Sequence, residues 1–260
     1  MSILTDLTPT ALTSAIEENL FALFREIAAL PGGELVETEE LLLHQTGLSS
    51  PMFNGVSRTR DVPVEKVSRR FSQPFFWWTG PQSSPGDLDD RLEAAGLPDA
   101  GRDSPGMANA LADIDEERAR PPGVAVEPAP DEAGLELWGR MFCGAHGAPP
   151  AAARAWIDAA RRLGFHDLPW ECWLARIDGT PVGLGLSFLG GGVVGLYGIG
   201  TLPAARRRGV GSALTLVPML KAREEGYAAA ILHATPDGEL LYPRLGFREY
   251  CRISRFLGGV

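Results

Sequence analysis

A short loop rich in arginine and glycine constrains this chain more than any other segment. It joins an apolar strand-like run, Val193–Thr201, to an apolar helical run over residues 213–225. The N–H groups at a helix start have no partner within the helix, and the helix dipole favours negative charge there. A strand, such a loop and a helix start together therefore predict a site for an anion.

The residue types in the loop suit phosphate oxygens. Gly209 and Gly211 let the backbone approach a ligand with no Cβ in the way, and the three arginines at 206–208 supply charge and forked donors. The loop lacks the Gly-Lys pair of a P-loop, and Leu214 stands where a dinucleotide-binding loop has its third glycine. A solvated basic turn at a helix start is the alternative interpretation.

Two blocks of the second half resemble the GNAT N-acetyltransferase superfamily. The pattern Arg206-x-x-Gly209-x-Gly211 is similar to that superfamily's acyl-CoA pyrophosphate loop. Residues 242–247, with the sequence YPRLGF, are similar to its Tyr-x-x-x-Gly-Phe signature, where a helix ends at glycine and a final strand starts. The order and separation of the blocks also match, and the resemblance covers roughly residues 124–257, about half of the chain.

The resemblance implies an acyl-CoA-dependent N-acyltransferase that moves acetyl from acetyl-CoA to a primary amine of a small molecule, by direct attack in a ternary complex. It implies that the strand before the loop bulges and splays from its neighbour, so that backbone groups of Ile199 and Thr201 contact the pantetheine arm. Gly198 and Gly200 are typical of such a bulge, although they could merely relieve crowding beneath a helix. The residues implied around the pyrophosphate are Arg206, Arg207, Arg208, Gly209, Val210, Gly211 and Ser212.

Tyr242 is the candidate catalytic residue. A phenol, with a pKa of about 10, can donate a proton to a departing thiolate, and the resemblance places it facing the thioester sulfur. Packing beside Leu245 and Phe247 is its alternative role. The sequence does not identify the general base, which could also be a water relayed through backbone carbonyls. The side chains considered for it are Glu171, His166, Asp167 and His233.

The acceptor pocket is not defined by the sequence either. The aromatic run at 75–78 could contribute to it, but neighbouring strand residues point to opposite faces, so at most two of those four can share a pocket. The other candidates for its wall are Trp170, Trp173, Met141, Phe142 and Tyr197.

Composition narrows the function classes. The net charge of −9 argues against a nucleic-acid partner, and no apolar run is long enough to predict a membrane span. Three cysteines and four scattered histidines show neither a disulfide framework nor metal-ligand spacing, so we expect no metal. A basic signal-peptide start is missing, and arginine far outnumbers lysine, which is typical of GC-rich bacterial genomes. We expect a cytoplasmic protein without membrane partners; a homodimer is one option.

The pattern of elements predicts α/β architecture, with a mixed, mostly antiparallel sheet flanked by helices. A Pro-Pro-Gly run at 121–123 predicts a boundary, which gives a first domain over residues 1–120 and a catalytic domain over residues 121–260. The first part resembles a degenerate GNAT-like domain. Its supposed cofactor loop carries Pro81 and Pro85, which lack N–H donors, so we expect it to complete the fold or build the pocket.

Two other functions are compatible with the same scaffold. One is a non-catalytic acyl-CoA-binding or regulatory module that keeps the anion cradle without turnover. The other is a different enzyme, either an O-acyltransferase or an acyl-CoA decarboxylase. Release of coenzyme A with a panel of amines separates the first from a transferase, and the mass of the product separates the second.

Overall fold

The strands of the described chain lie in one sheet. A computed structural model describes residues 2–165 and 167–259. The strands are β1 (Glu34–Glu37), β2 (Leu41–Gln45), β3 (Asn54–Thr59), β4 (Phe75–Thr79), β5 (Ser104–Ala110), β6 (Val124–Pro128), β7 (Trp170–Ile177), β8 (Thr180–Gly190), β9 (Val193–Thr201), β10 (Ala229–His233) and β11 (Arg248–Gly258).

Helices cover both faces of this sheet. The α-helices are α1 (Pro9–Ala28), α2 (Val64–Ser68), α3 (Leu88–Ala94), α4 (Glu116–Ala119), α5 (Glu132–His146), α6 (Pro150–Leu163), α7 (Val210–Glu224) and α8 (Pro236–Glu239). Short 3₁₀ helices lie at Pro51–Phe53, Leu111–Asp113, Pro203–Ala205 and Tyr242–Leu245. Within the described residues, no helix combines the length and apolar character needed to cross a membrane.

The last strand of each half of the chain lies among the strands of the other half. We call residues 1–120 the N-half and residues 121–260 the C-half. Across the sheet the order is β1-β2-β3-β4-β11-β5-β10-β9-β8-β7-β6. Strand β5 of the N-half pairs with β10, β11 of the C-half pairs with β4, and the two exchanged strands pair with each other. Each half therefore completes its part of the sheet with a strand from the other.

The predicted α/β class with a mixed, mostly antiparallel sheet is confirmed, but the sequence gives no sign of β5. Its sequence, SPGMANA, contains proline, glycine, asparagine and alanine, all of which are depleted in strands. Hydrogen bonding to a strand on each side supplies the stability that local preference lacks. The predicted boundary at residue 120 lies between α4 and β6 in this arrangement.

Helix α1 joins the two halves on one face of the sheet. Its first turn is capped by Thr8, whose hydroxyl accepts the Ala11 N–H at 3.4 Å. Its apolar side chains pack in a core shared with α5 and α6, and each fully buried large side chain contributes about 1.5–3 kcal/mol. The Asn19 amide donates to the Gly190 carbonyl at 2.7 Å, which ties the helix to the turn between β8 and β9.

The aromatic run in β4 divides between the two faces, as predicted. Phe75 and Trp77 pack on the face covered by α2 and α3, and both are buried. Phe76 and Trp78 face the core around α1. Two of the four side chains are therefore available to the α1 face, where the two halves meet.

Candidate active site

Strand β9 bulges and then separates from its parallel neighbour. Its register with β8 shifts between Leu184 and Leu186, and Gly198 lies within the bulge with a φ of 56°. Pairing with β10 ends at the Leu196–Leu232 pair. Residues 197–201 therefore turn backbone groups towards a gap in the sheet, and the predicted bulge and separation of the strands are confirmed.

The loop after β9 ends at the start of α7. Gly209 occupies the N-cap position with a φ of 81°, and Arg207 also has a positive φ, of 63°. The first intrahelical bond runs from the Ala213 N–H to the Gly209 carbonyl, at 3.0 Å. The N–H groups of Val210, Gly211 and Ser212 precede that bond and have no helical acceptor. Their positions make the helix start suitable for an anion.

A cavity of about 550 Å³ connects this helix start with the end of β9. Nine of the ten residues named from the sequence line it: Ile199, Thr201, Arg206, Arg207, Gly209, Val210, Gly211, Ser212 and Tyr242. Arg208 does not line it. Arg206 lies 3.7 Å from the Asp237 carboxylate, but both side chains are well exposed, so this ion pair holds the arginine only weakly.

Tyr242 both packs and lines the cavity. Its ring is tilted against Phe247 with the centroids 5.7 Å apart, and the residue is 8% exposed. Burial raises the pKa of its phenol to about 12, so the proton stays on the oxygen at neutral pH. In the described chain its hydroxyl makes no hydrogen bond, which leaves it free to donate to a bound molecule.

His146 is a cavity residue that the sequence did not reveal. It ends α5, and its Nε2 lies 3.1 Å from the carbonyl oxygen of Gly198, inside the bulge. A Cβ on Gly200 would come within 2.7 Å of the same nitrogen, so the glycine is needed for this close approach. His146 belongs to neither recognised block, and the contact spans 52 positions of the chain, which explains why no local pattern indicated it.

The candidates for the general base are scattered. Glu171 forms an ion pair with Lys221 at 2.7 Å and lines a separate cavity of about 410 Å³, so it does not face the gap between β9 and β10. Asp167 follows α6 and lines neither of these cavities, and His166 lies outside the described residues. His233 ends β10, one residue beyond the last β9–β10 pair, and is therefore beside the gap.

The other aromatic candidates for the acceptor pocket are mainly core residues. Trp170 and Trp173 are buried, and the Trp173 indole donates to the Ser187 hydroxyl at 2.9 Å. Phe142 stacks on Trp138 at 5.4 Å. Tyr197 is partly buried, and its hydroxyl donates to the Asn19 amide oxygen at 2.6 Å.

The N-half contains a second parallel junction, between β3 and β4, and it is closed. Pairing there ends at the Val56–Trp77 pair, and β3 also bulges against β2. Ser84 then fills the space, because its N–H donates to Thr59 at 2.8 Å and its carbonyl accepts from Asp61 at 3.1 Å. We call residues 80–85 the plug segment.

The predicted position of the N-half cofactor loop was wrong. The segment between the parallel strands β3 and β4 is the counterpart of the Arg-Gly loop, whereas residues 80–85 follow β4. The true counterpart leads through Pro63, which has no N–H, into a helix of five residues. The β3–β4 junction therefore offers no long helix start to an anion.

Comparison with known proteins relates part of the C-half to a known family. Residues 169–249 match a family model described as an acetyltransferase (GNAT) domain. The matched segment runs from β7 to the start of β11 and includes the bulged strand, the Arg-Gly loop and Tyr242. No curated protein matches the chain significantly.

Solved structures resemble the chain over nearly its whole length. A GCN5-related N-acetyltransferase from Kribbella flavida has a TM-score of 0.67 and 17% identity, covering 99% of this chain and 97% of its own. A GCN5-related N-acetyltransferase from Sphaerobacter thermophilus has a TM-score of 0.57 and 16% identity, covering 96% of this chain and 93% of its own. A tandem GNAT protein from the clavulanic acid biosynthesis pathway has a TM-score of 0.56 and 12% identity, covering 99% of this chain and 96% of its own. These likenesses establish the fold, with two GNAT-like halves.

Proposed function

We propose that the protein is an acyl-CoA-dependent N-acyltransferase, which transfers acetyl from acetyl-CoA to a primary amine of a small molecule. The observation that carries this proposal is the single cavity joining three features: the open end of β9, the N-terminus of α7 and the Tyr242 phenol. An extended amide-bearing arm, a leaving thiolate and a pyrophosphate need these three features, and acetyl-CoA carries all three groups on one molecule, with the arm between the pyrophosphate and the sulfur.

Each group has a defined task in this mechanism. Backbone groups of Ile199 and Thr201 pair with the pantetheine arm, as a strand would. The N–H groups at the start of α7 and the arginines Arg206 and Arg207 hold the pyrophosphate. The His146 ring holds the Gly198 carbonyl and so maintains the bulge. Arg208, which does not line the cavity, contributes charge at longer range.

The chemical step follows from the same arrangement. The amine nitrogen attacks the thioester carbonyl carbon in a ternary complex, so the C–N bond forms and the C–S bond breaks. The departing thiolate takes a proton from Tyr242, and the proton that the attacking nitrogen loses returns to the phenolate through water. A buried phenol with a pKa of about 12 is protonated at neutral pH and is therefore in the donating form.

The decisive experiment measures free coenzyme A released from acetyl-CoA with a panel of primary amines, and the mass of the product. A product heavier than the amine by one acetyl group supports N-acylation. Tight acetyl-CoA binding without release for any amine favours a binding module instead. Acetylation of an alcohol, or loss of carbon dioxide from an acyl-CoA, would favour the other two enzymes.

Tyr242→Phe tests the acid within that reaction. We expect kcat to fall roughly 10²-fold, within the range for general acid catalysis, while acetyl-CoA affinity changes little. Tyr227→Phe is the matched control, because Tyr227 packs against the same apolar cluster but does not line the cavity. A normal kcat in Tyr242→Phe with a lowered melting temperature would assign Tyr242 to packing.

A further inference from the structure

Aromatic and charged side chains from both halves meet beside the gap, on the face covered by α1. The ring of His233, at the end of β10, lies 6.1 Å from the Tyr197 ring and 6.2 Å from the Trp78 ring. Trp78 belongs to β4 of the N-half. The N-half therefore reaches the place where β9 and β10 separate. We call His233, Tyr197, Trp78 and Arg255 the junction cluster.

Arg255 of β11 supplies the positive charge of this cluster. Its guanidinium lies over the rings of Phe76, at 4.7 Å, and Trp78, at 5.2 Å. Nε and Nη2 both donate to the Ala100 carbonyl, at 3.1 and 2.6 Å. Nη1 has no hydrogen-bond partner among the described residues, although the side chain is only partly exposed. One edge of a rigid, largely desolvated fork is thus left for a ligand.

An unused edge of this kind favours a carboxylate. Charge-assisted bonds from a guanidinium to a carboxylate are about twice as strong as neutral hydrogen bonds, and partial burial strengthens them further. Asp99 is the acidic residue that acts electrostatically on Arg255, but its carboxylate accepts the N–H groups of Gly101 and Arg102 and does not bond the guanidinium. A ligand carboxylate would be the direct partner that Arg255 lacks.

His233 has the properties of a proton acceptor next to that position. Burial and the neighbouring Arg255 lower the pKa of its imidazole to about 4, so the ring is neutral at neutral pH. Its Nε2 is buried without a partner, and its Nδ1 makes no hydrogen bond within the described residues, so Nδ1 is the nitrogen that we assign to a bound molecule. A negative charge beside Arg255 would offset the electrostatic part of this pKa depression. Tyr197, the other polar group facing the ring, is committed to Asn19.

We propose that the acceptor is an amine that also carries a carboxylate, such as an amino acid. Its carboxylate binds Nη1 of Arg255, and its amine lies between His233 and the thioester. Nδ1 of His233 takes the proton lost by the attacking nitrogen, while Tyr242 protonates the thiolate. The inference rests on the proposed acyltransferase function. It also gives the N-half a direct part in choosing the acceptor, through Phe76 and Trp78.

Matched substrates test this inference. The turnover of L-phenylalanine and L-leucine is compared with that of L-phenylalaninamide and L-leucinamide, with acetyl-CoA as donor. We expect kcat/KM to be at least tenfold higher for the acids. Arg255→Gln should remove this preference by raising KM for the acids, and Arg255→Lys should restore part of it. Arg252→Gln, an exposed arginine that pairs with Glu249 on the same strand, should leave the preference unchanged.

His233→Gln should lower kcat for the acids at least tenfold with little change in KM, and thermal melting of each variant checks folding. Amides that react as fast as acids, or a preference that survives Arg255→Gln, would overturn the inference and leave the acyltransferase in place. If acetyl-CoA binds and no amine of any kind releases coenzyme A, the proposed function fails and the inference with it.

Discussion

The two parallel strand junctions of this protein have the same topology and opposite accessibility. Both strands that lead to them bulge, β9 at Gly198 and β3 between its pairings with Leu42 and Leu43. In the C-half the backbone beyond the bulge is open to a cavity, and a helix of 15 residues follows. In the N-half Ser84 uses that backbone, and a helix of five residues follows.

The comparison shows that topology alone does not make a cofactor site. A bulge frees backbone donors and acceptors, but a segment of the same chain can use them as well as a ligand can. The net charges reinforce the difference, since the N-half carries −10 and the C-half +1. We therefore expect one coenzyme A per chain, bound in the C-half.

The largest effect is expected from separating the halves. Fragments 1–122 and 123–260 each lack a strand that the other supplies, so neither alone should unfold cooperatively on heating. Co-expressed, they should assemble one to one and melt cooperatively, because the cut falls in the turn before β6. Circular dichroism and size-exclusion chromatography measure this. A lone 123–260 fragment that melts cooperatively and acylates at full rate would show that the halves are independent.

Glu17 of α1 contacts the plug segment, and this contact should make the free energy of unfolding depend on pH. This carboxylate is buried and accepts the Gln82 N–H at 3.2 Å, and burial raises its pKa to about 7. The unfolded chain has an ordinary glutamate pKa, so the folded form holds the proton more tightly. The stability that Glu17 contributes is complete below about pH 4.5 and is lost as pH rises through 7, a change on the order of 3 kcal/mol.

Glu17→Gln should therefore be more stable than the parent protein at pH 8, and the difference should vanish near pH 4.5. Denaturant unfolding at several pH values measures it. Glu18→Gln is the control, because Glu18 is the neighbouring and more exposed carboxylate that accepts the Gln82 side-chain amide. If the free energy of unfolding of the parent protein and of Glu17→Gln depended on pH in the same way, protonation of Glu17 would have no effect on stability.

A smaller effect is expected from placing an acid in each half. Gly211→Asp puts a negative charge at the helix start, and acetyl-CoA affinity should fall at least tenfold, about 1.4 kcal/mol. Gly211→Ala separates size from charge, since a Cβ there would meet only the end of Leu241, at 3.1 Å. Gly86→Asp is the N-half control, because a Cβ there meets nothing within 4 Å.

Calorimetry measures both affinity and stoichiometry in these variants. If Gly211→Asp keeps its fold and binds acetyl-CoA as tightly as the parent protein, the helix start is not the pyrophosphate site. Two equivalent sites per chain in the parent protein would show that the plug opens.

Local patterns predicted the C-half well. Strand β9 has the limits of the strand-like run in the sequence, Val193–Thr201, because a continuous apolar run that follows turn residues is a clear strand signal. Helix α7 begins three residues earlier than predicted, at Val210, since the left-handed Gly209 provides the cap. The two recognised blocks lie on one cavity because the intervening elements keep a common order.

Contacts between distant segments were not predictable in the same way. The exchange of β5 and β11 depends on pairing between residues about 150 positions apart, for which a single sequence holds no signal. The plug was mistaken for a cofactor loop because its prolines were visible, whereas its bonds to β3 were not. Nothing in the sequence marked Arg255, which the fold places over Trp78, a ring that also lies beside the candidate base His233.

The strand exchange also has a consequence for how the chain is made. Strand β4 leaves the ribosome long before its partner β11 is synthesised, because most of the C-half lies between them in the chain. At typical rates of about 5–20 residues per second, the edge of β4 waits on the order of ten seconds or more. During that time the aromatic strand 75–79 has an unpaired edge, the kind of surface that recruits other nascent chains. Efficient production of this protein should therefore depend on chaperones that shield that edge until β11 has been synthesised.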